Sequence, residues 1–153
     1  MEDIKRILVV SRSTKDCRKA IHYGVSLSQM YKAKLYVMHL VQDPLIFGGW
    51  NLPFPSLEEE YRKMVKESKA ELSAIIKKEK NKGAAIKELI KEGKPAEEVL
   101  NVVKEEKIDL IVMLAHEEGR LEHFLFGRSN EEIIRAMPCS ILLVKKEPGA
   151  VNY

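Results

Sequence analysis

Gly127, Arg128, Ser129 and Asn130 are the residues whose types and spacing best suit chemistry. Ser129 reads as a helix N-cap, and Glu132, one turn on, completes the pattern of a capping box. Gly127 lets the backbone turn sharply just ahead of the cap, and Pro138 ends the helix. A glycine-led loop that feeds an open helix N-terminus presents unpaired N–H groups and the positive end of the helix dipole. The ligand it suits is an anion, and Arg128 adds a fixed positive charge. Nearby, His116-Glu117-Glu118 and Glu122-His123 gather imidazoles and carboxylates in a short span. The zincin pattern needs a histidine at position 120, where the chain has Arg120, so this span is read as a solvated polar loop and no metal is expected. Cys17 and Cys139 lack metal-ligand spacing and have nothing beside them in sequence that marks a nucleophile. No Ser-His-Asp or Cys-His arrangement is identifiable from residue order.

The elements that must position these residues follow from the hydrophobic pattern. Ile4 to Val10 is an apolar strand, and Ser11-Arg12-Ser13-Thr14 reads as a polar turn capping a helix to about Lys32. In that helix Cys17, Ile21, Gly24, Val25 and Ser28 share one face, and Ala20, Tyr23, Leu27 and Tyr31 share a second, so two packed faces are expected. Lys34 to Val41 is the second strand, with His39 as a core or strand-end histidine. Gln42 to Ser56 contains Pro44, Pro53 and Pro55 with Gly48 and Gly49, which excludes a helix or a central strand. The segment is read as a cover for exposed core at one end of the sheet, with a lid or a partner-contact surface as the alternatives, and Phe47, Trp50 or Phe54 is expected to pack over the crevice mouth or a neighbouring helix.

Leu57 to about Lys82 is a long amphipathic helix, and Ala84 to Lys91 a third strand. Glu92-Gly93-Lys94 turns into a helix with Pro95 first and Ala96, Val99, Leu100 and Val103 inward. Asp109 to Ala115 and Ser140 to Lys145 are short apolar runs, the pattern of parallel strands buried on both faces, with the helix Ser129 to Met137 between them. The alternation predicts an α/β, doubly wound, mostly parallel sheet with helices on both faces. One domain over residues 1–146 and a short tail over 147–153 are expected. Ligands in such folds sit at the carboxyl ends of the strands, where strand order reverses.

Composition narrows the function. The chain has 153 residues, 45% hydrophobic and 32% charged, which suits one globular domain with a real core. A net charge of +3 with interspersed Lys and Glu gives no nucleic-acid footprint. The N-terminus enters a short strand without a signal-type apolar stretch, and no run is long enough to span a membrane, so a cytoplasmic location is expected.

Four segments, RILVVS, EGKPAEEVL, DLIVMLA and FLFGRSNEEIIRAMPCSILLVK, in this order, resemble the universal stress protein family over nearly the whole chain. The resemblance implies a five-stranded parallel sheet of order 3-2-1-4-5, Rossmann-like and of the adenine nucleotide alpha hydrolase type. It also implies a homodimer through antiparallel pairing of Ser140, Ile141, Leu142, Leu143, Val144 and Lys145 with their twins. The ATP-binding branch of the family has an aspartate after the first strand and a G-x2-G-x9-G loop followed by Ser or Thr. Here Ser11 stands at the aspartate, Leu114 and Glu117 at the first two glycines, Gly127 at the third, and Arg128 then Ser129 after it. Glycines let a backbone approach phosphates closely, and Leu114 cannot. Glu117 and Glu118 bring negative charge, while Arg12, Arg120 and Arg128 are the cations available to phosphate.

The family position of the nucleotide or anion site falls on Ser11, Arg12, Val41, Ala115, Gly127, Arg128, Ser129 and Asn130. The expectation is an anion site with no cofactor and no catalysis, in a stress-response homodimer that acts through protein contacts with unidentified partners. The alternative is ATP with Mg, held by a nucleotide switch or a slow ATP hydrolase. The segment Ser11 to Asp16 is faintly similar to the Ser-Gly-Gly-x-Asp-Ser loop of pyrophosphatase-type ATP enzymes, but it has neither glycine.

Overall fold

A computed structural model of the protein describes residues 3–12, 17–41, 55–115 and 129–145. Within them the elements run β1 (Arg6–Arg12), α1 (Cys17–Tyr31), β2 (Lys34–Val41), α2 (Pro55–Asn81), β3 (Ile86–Glu92), α3 (Pro95–Glu106), β4 (Leu110–Leu114), α4 (Ser129–Ala136) and β5 (Ser140–Val144). The strands form one sheet in the order β3-β2-β1-β4-β5, and every pairing is parallel. Chain order and sheet order are those expected from the sequence.

Alternation along each strand splits the core into two layers. Ile7 and Val9 of β1, Leu35 and Val37 of β2, and Leu110, Val112 and Leu114 of β4 pack under α1 and α2, against Ala20, Ile21, Val25, Leu72 and Ile76. On the other side Leu8 and Val10, Met38 and Leu40, and Ile111 and Met113 pack under α3 and α4, against Ala96, Val99, Val102, Val103 and Ile133. β4 sits centrally with all of its residues buried, which is why LIVML carries no polar alternation. Gly24 lets α1 lie directly on β1, since a Cβ there would collide with the stiff Val9 side chain.

Several expectations shift. β1 starts and ends later than read, so Ser11 and Arg12 are extended and in register with His39 and Leu40 rather than in a turn. The ladder with β2 carries the strand past the point where the residues turn polar. α2 begins at Pro55, ahead of Leu57, and proline is at home in a first helical turn. The second face of α1 is only half packed. Ala20 is buried and Leu27 half-buried, but Tyr23 is 42% and Tyr31 49% exposed. The layer holds a single row of α1 side chains against the sheet, so the flanking row faces outward. Val102 joins the inward face of α3, and Leu100 is only half-buried. Lys145 lies just past the end of β5. Phe47, Trp50, Phe54 and the tail over 147–153 lie outside the described residues.

Candidate functional site

The sheet order reverses between β1 and β4, and the carboxyl ends of those strands open the crevice. Ser11 is buried near the end of β1, beside His39 of β2. Arg12 and Val41 are the last residues of β1 and β2. Ala115 follows β4, half-buried, and its N–H donates to the Val144 carbonyl at 2.9 Å, which joins the ends of β4 and β5. α4 begins at Ser129, which is buried, with Glu131 and Glu132 in its first turn and Arg135 in its last, the order of charge that suits the helix dipole. Ser129 is counted as the first helical residue, one step inside the expected cap and within the range over which helix ends are defined. Pro138 follows the helix as expected, with Met137 turned into the left-handed region at φ 40°.

Asn130 has a role that the sequence did not reveal. Its side-chain amide donates to the carbonyls of Leu114 at 2.9 Å and Ala115 at 3.1 Å. Those contacts brace the start of α4 against the end of β4. Gly127 and Arg128, with His116, Glu117, Glu118 and the rest of the polar loop, lie outside the described residues. The structure therefore brings Ser11, Arg12, Val41, Ala115, Ser129 and Asn130 to one end of the sheet.

At the opposite end Asp109 pins the scaffold. Its Oδ2 accepts from the backbone N–H of Lys5 at 2.9 Å and of Arg6 at 2.8 Å, and its own N–H donates to the Arg6 carbonyl at 2.9 Å. A carboxylate taking two backbone donors is a strong tie between the starts of β1 and β4. The signal available in the sequence was a lone aspartate opening an apolar strand.

Among the described residues no cluster of His, Cys, Asp and Glu could hold a metal ion, and no helix is long and apolar enough to cross a membrane. Cys139 is a half-buried free thiol. Burial pushes its pKa up to about 11, so it stays protonated near neutral pH and is a poor nucleophile.

A doubly wound five-stranded parallel sheet with helices on both faces defines a Rossmann-like α/β domain. The Universal stress protein family model matches residues 3–145, and the chain belongs to that family. It is 27% identical over 147 residues to Universal stress protein MJ0531 of Methanocaldococcus jannaschii, covering 93% of this chain and 82% of that protein. The solved structure of MJ0577 from the same organism superposes with a TM-score of 0.69 at 22% identity, covering 97% of this chain and 100% of that one. The universal stress protein from Archaeoglobus fulgidus in complex with dAMP superposes with a TM-score of 0.56 at 16% identity, covering 96% and 100%.

Proposed function

We propose that this protein is a cytoplasmic, non-catalytic member of its family, a homodimer that acts in the stress response through protein contacts, with a crevice that takes a small anion and not ATP. The observation that carries the reading is the edge strand β5. SILLV has no charge, Leu143 is 42% exposed, and one side of the strand has no neighbour among the described strands. Such an edge needs a cover, and a twin strand across a two-fold axis supplies one. Against ATP stand Leu114, Glu117 and Ser11 at the positions of the family's Gly, Gly and Asp. Each lost polar contact costs about 1–3 kcal/mol, enough in sum to weaken a micromolar site to millimolar.

A second reading, a nucleotide-binding switch or slow hydrolase using ATP with Mg, is favoured by one observation. The start of α4 is tied by Asn130 to the end of β4, one of the two strands at the strand-order switch, and the Archaeoglobus fulgidus relative is in complex with dAMP. Isothermal titration with magnesium-ATP separates the two. The expected heat equals that of dilution. A Kd of about 10 μM or tighter, abolished by Gly127→Val, establishes the nucleotide switch instead.

A further inference from the structure

A second groove lies away from the crevice, between α2 and the edge strand β3. His39 lines its floor and is only 4% exposed. Neither ring nitrogen has a hydrogen-bond partner among the described residues, although a buried polar group left unpaired is costly. The enclosed space is about 20 Å³, room for a single water-sized group. Above the floor the groove opens to solvent between Leu72, Lys69 and Ser73 of α2 and Ile90 of β3. Ile90, an apolar side chain, is 58% exposed among the described residues. Glu88 also lines the groove, but its carboxylate is paired with Lys80 Nζ at 2.9 Å. Lys69 has no such partner among the described residues, so the uncompensated charge at the lip is positive.

We propose that this groove binds a small aliphatic carboxylate, one oxygen on His39 at the floor, its charge toward Lys69, and its hydrocarbon body along Leu72 and Ile90. Each part of the ligand answers one feature of the groove. The floor admits one oxygen-sized atom and offers it an N–H donor. A neutral hydroxyl would satisfy His39 equally but leave Lys69 without a counter-charge, and an inorganic anion would leave Ile90 exposed. Burial, and then the Lys69 charge, hold the His39 pKa below its ordinary value. The empty groove is therefore uncharged at His39 and ready to donate from one nitrogen only. A bound carboxylate moves that pKa upward by supplying the missing opposite charge.

The test is NMR of the full chain with labelled imidazole and isoleucine methyl groups, titrated near neutral pH with sodium hexanoate and separately with hexanol and sodium phosphate. The expected result is a saturable shift of His39 and Ile90 by hexanoate at a Kd of about 1 mM or tighter, weaker shifts by hexanol and none by phosphate. Lys69→Gln, at an exposed position that leaves the core intact, weakens hexanoate several-fold and leaves hexanol unchanged. In His39→Leu, checked for folding by its thermal transition, the Ile90 methyl shift with hexanoate is lost. No saturable shift, equal response to hexanoate and hexanol, or undiminished Ile90 binding in His39→Leu overturns the proposal. Equal shifts by phosphate overturn it too and mark a site for anions in general.

Discussion

His39 shows how one residue couples burial to pH. Its ring sits between β1 and β3 and beneath α2, with Ser11 beside it and Lys69 the charge that bears on it. Because burial lowers its folded-state pKa below the ordinary 6.5, the unfolded chain binds the proton more readily than the folded one. Stability is therefore full above about pH 6.5 and falls as pH drops through that value toward the depressed one, by up to about 1.4 kcal/mol per pH unit. The difference between the wild type and His39→Leu isolates the effect of this one side chain. Urea unfolding between about pH 7 and about pH 5 should show a steeper loss in the wild type. Parallel curves would place His39 in contact with water or a partner. The sequence read His39 as a core or strand-end histidine from its apolar neighbours, but its lack of partners among the described residues depends on which α2 side chains come to rest above it, and no local pattern encodes that. The same holds for the Asn130 side chain, which the sequence placed at the anion site and which donates to the carbonyls of Leu114 and Ala115.

At the scale of elements, the legible parts are those with strong local chemistry. β2 runs over the predicted residues, and Pro95 opens α3 behind Gly93, whose φ of 138° only glycine adopts readily. Where no proline or glycine stands, a neighbouring strand can set the end instead, as β2 does for Ser11 and Arg12. The C-terminus of α3 is an exception of a different kind. Lys107 caps it in the left-handed region at φ 51° and ψ 54°, and its N–H donates to the Val103 carbonyl. A non-glycine residue there carries strain, and its side chain is not needed for the cap. Lys107→Gly should stabilise the protein by about 0.5–1 kcal/mol after the added flexibility of the unfolded chain is counted, raising Tm by ~2 °C. The backbone carbonyl that accepts from Arg6 Nε at 2.6 Å is retained in the variant. A fall in Tm would mean that the Lys107 side chain contributes more than the relief of its backbone.

At the scale of the whole molecule, the two edges of the sheet differ. β3 is laced with charge, IKELIKE, and Lys80 and Lys87 tie Glu88 and Glu106 around it. Such an edge resists pairing with another strand. β5 is uncharged, with Leu143 turned outward on the strand and Met137 exposed just before it. This asymmetry was visible in the sequence once the strand order was known, and the order itself came from the alternation of elements and the family resemblance. It predicts a dimer through β5 and none through β3. Leu143→Lys leaves the buried layers untouched, because Leu143 belongs to neither, whereas Leu142 and Val144 pack into one layer and Ile141 into the other. It places two like charges near a two-fold axis in a desolvated contact, at a cost of about 2 kcal/mol, which weakens the dimer ~30-fold. Sedimentation equilibrium of the wild type at about 10 μM should give the dimer mass, and Leu143→Lys should shift it toward the monomer with an unchanged thermal transition of the monomeric fold. The matching charge reversal on the other edge, Lys87→Glu, should leave the mass alone. A wild type that is monomeric, or a dimer indifferent to Leu143→Lys, would move the interface away from β5 and remove the observation on which the proposed function rests.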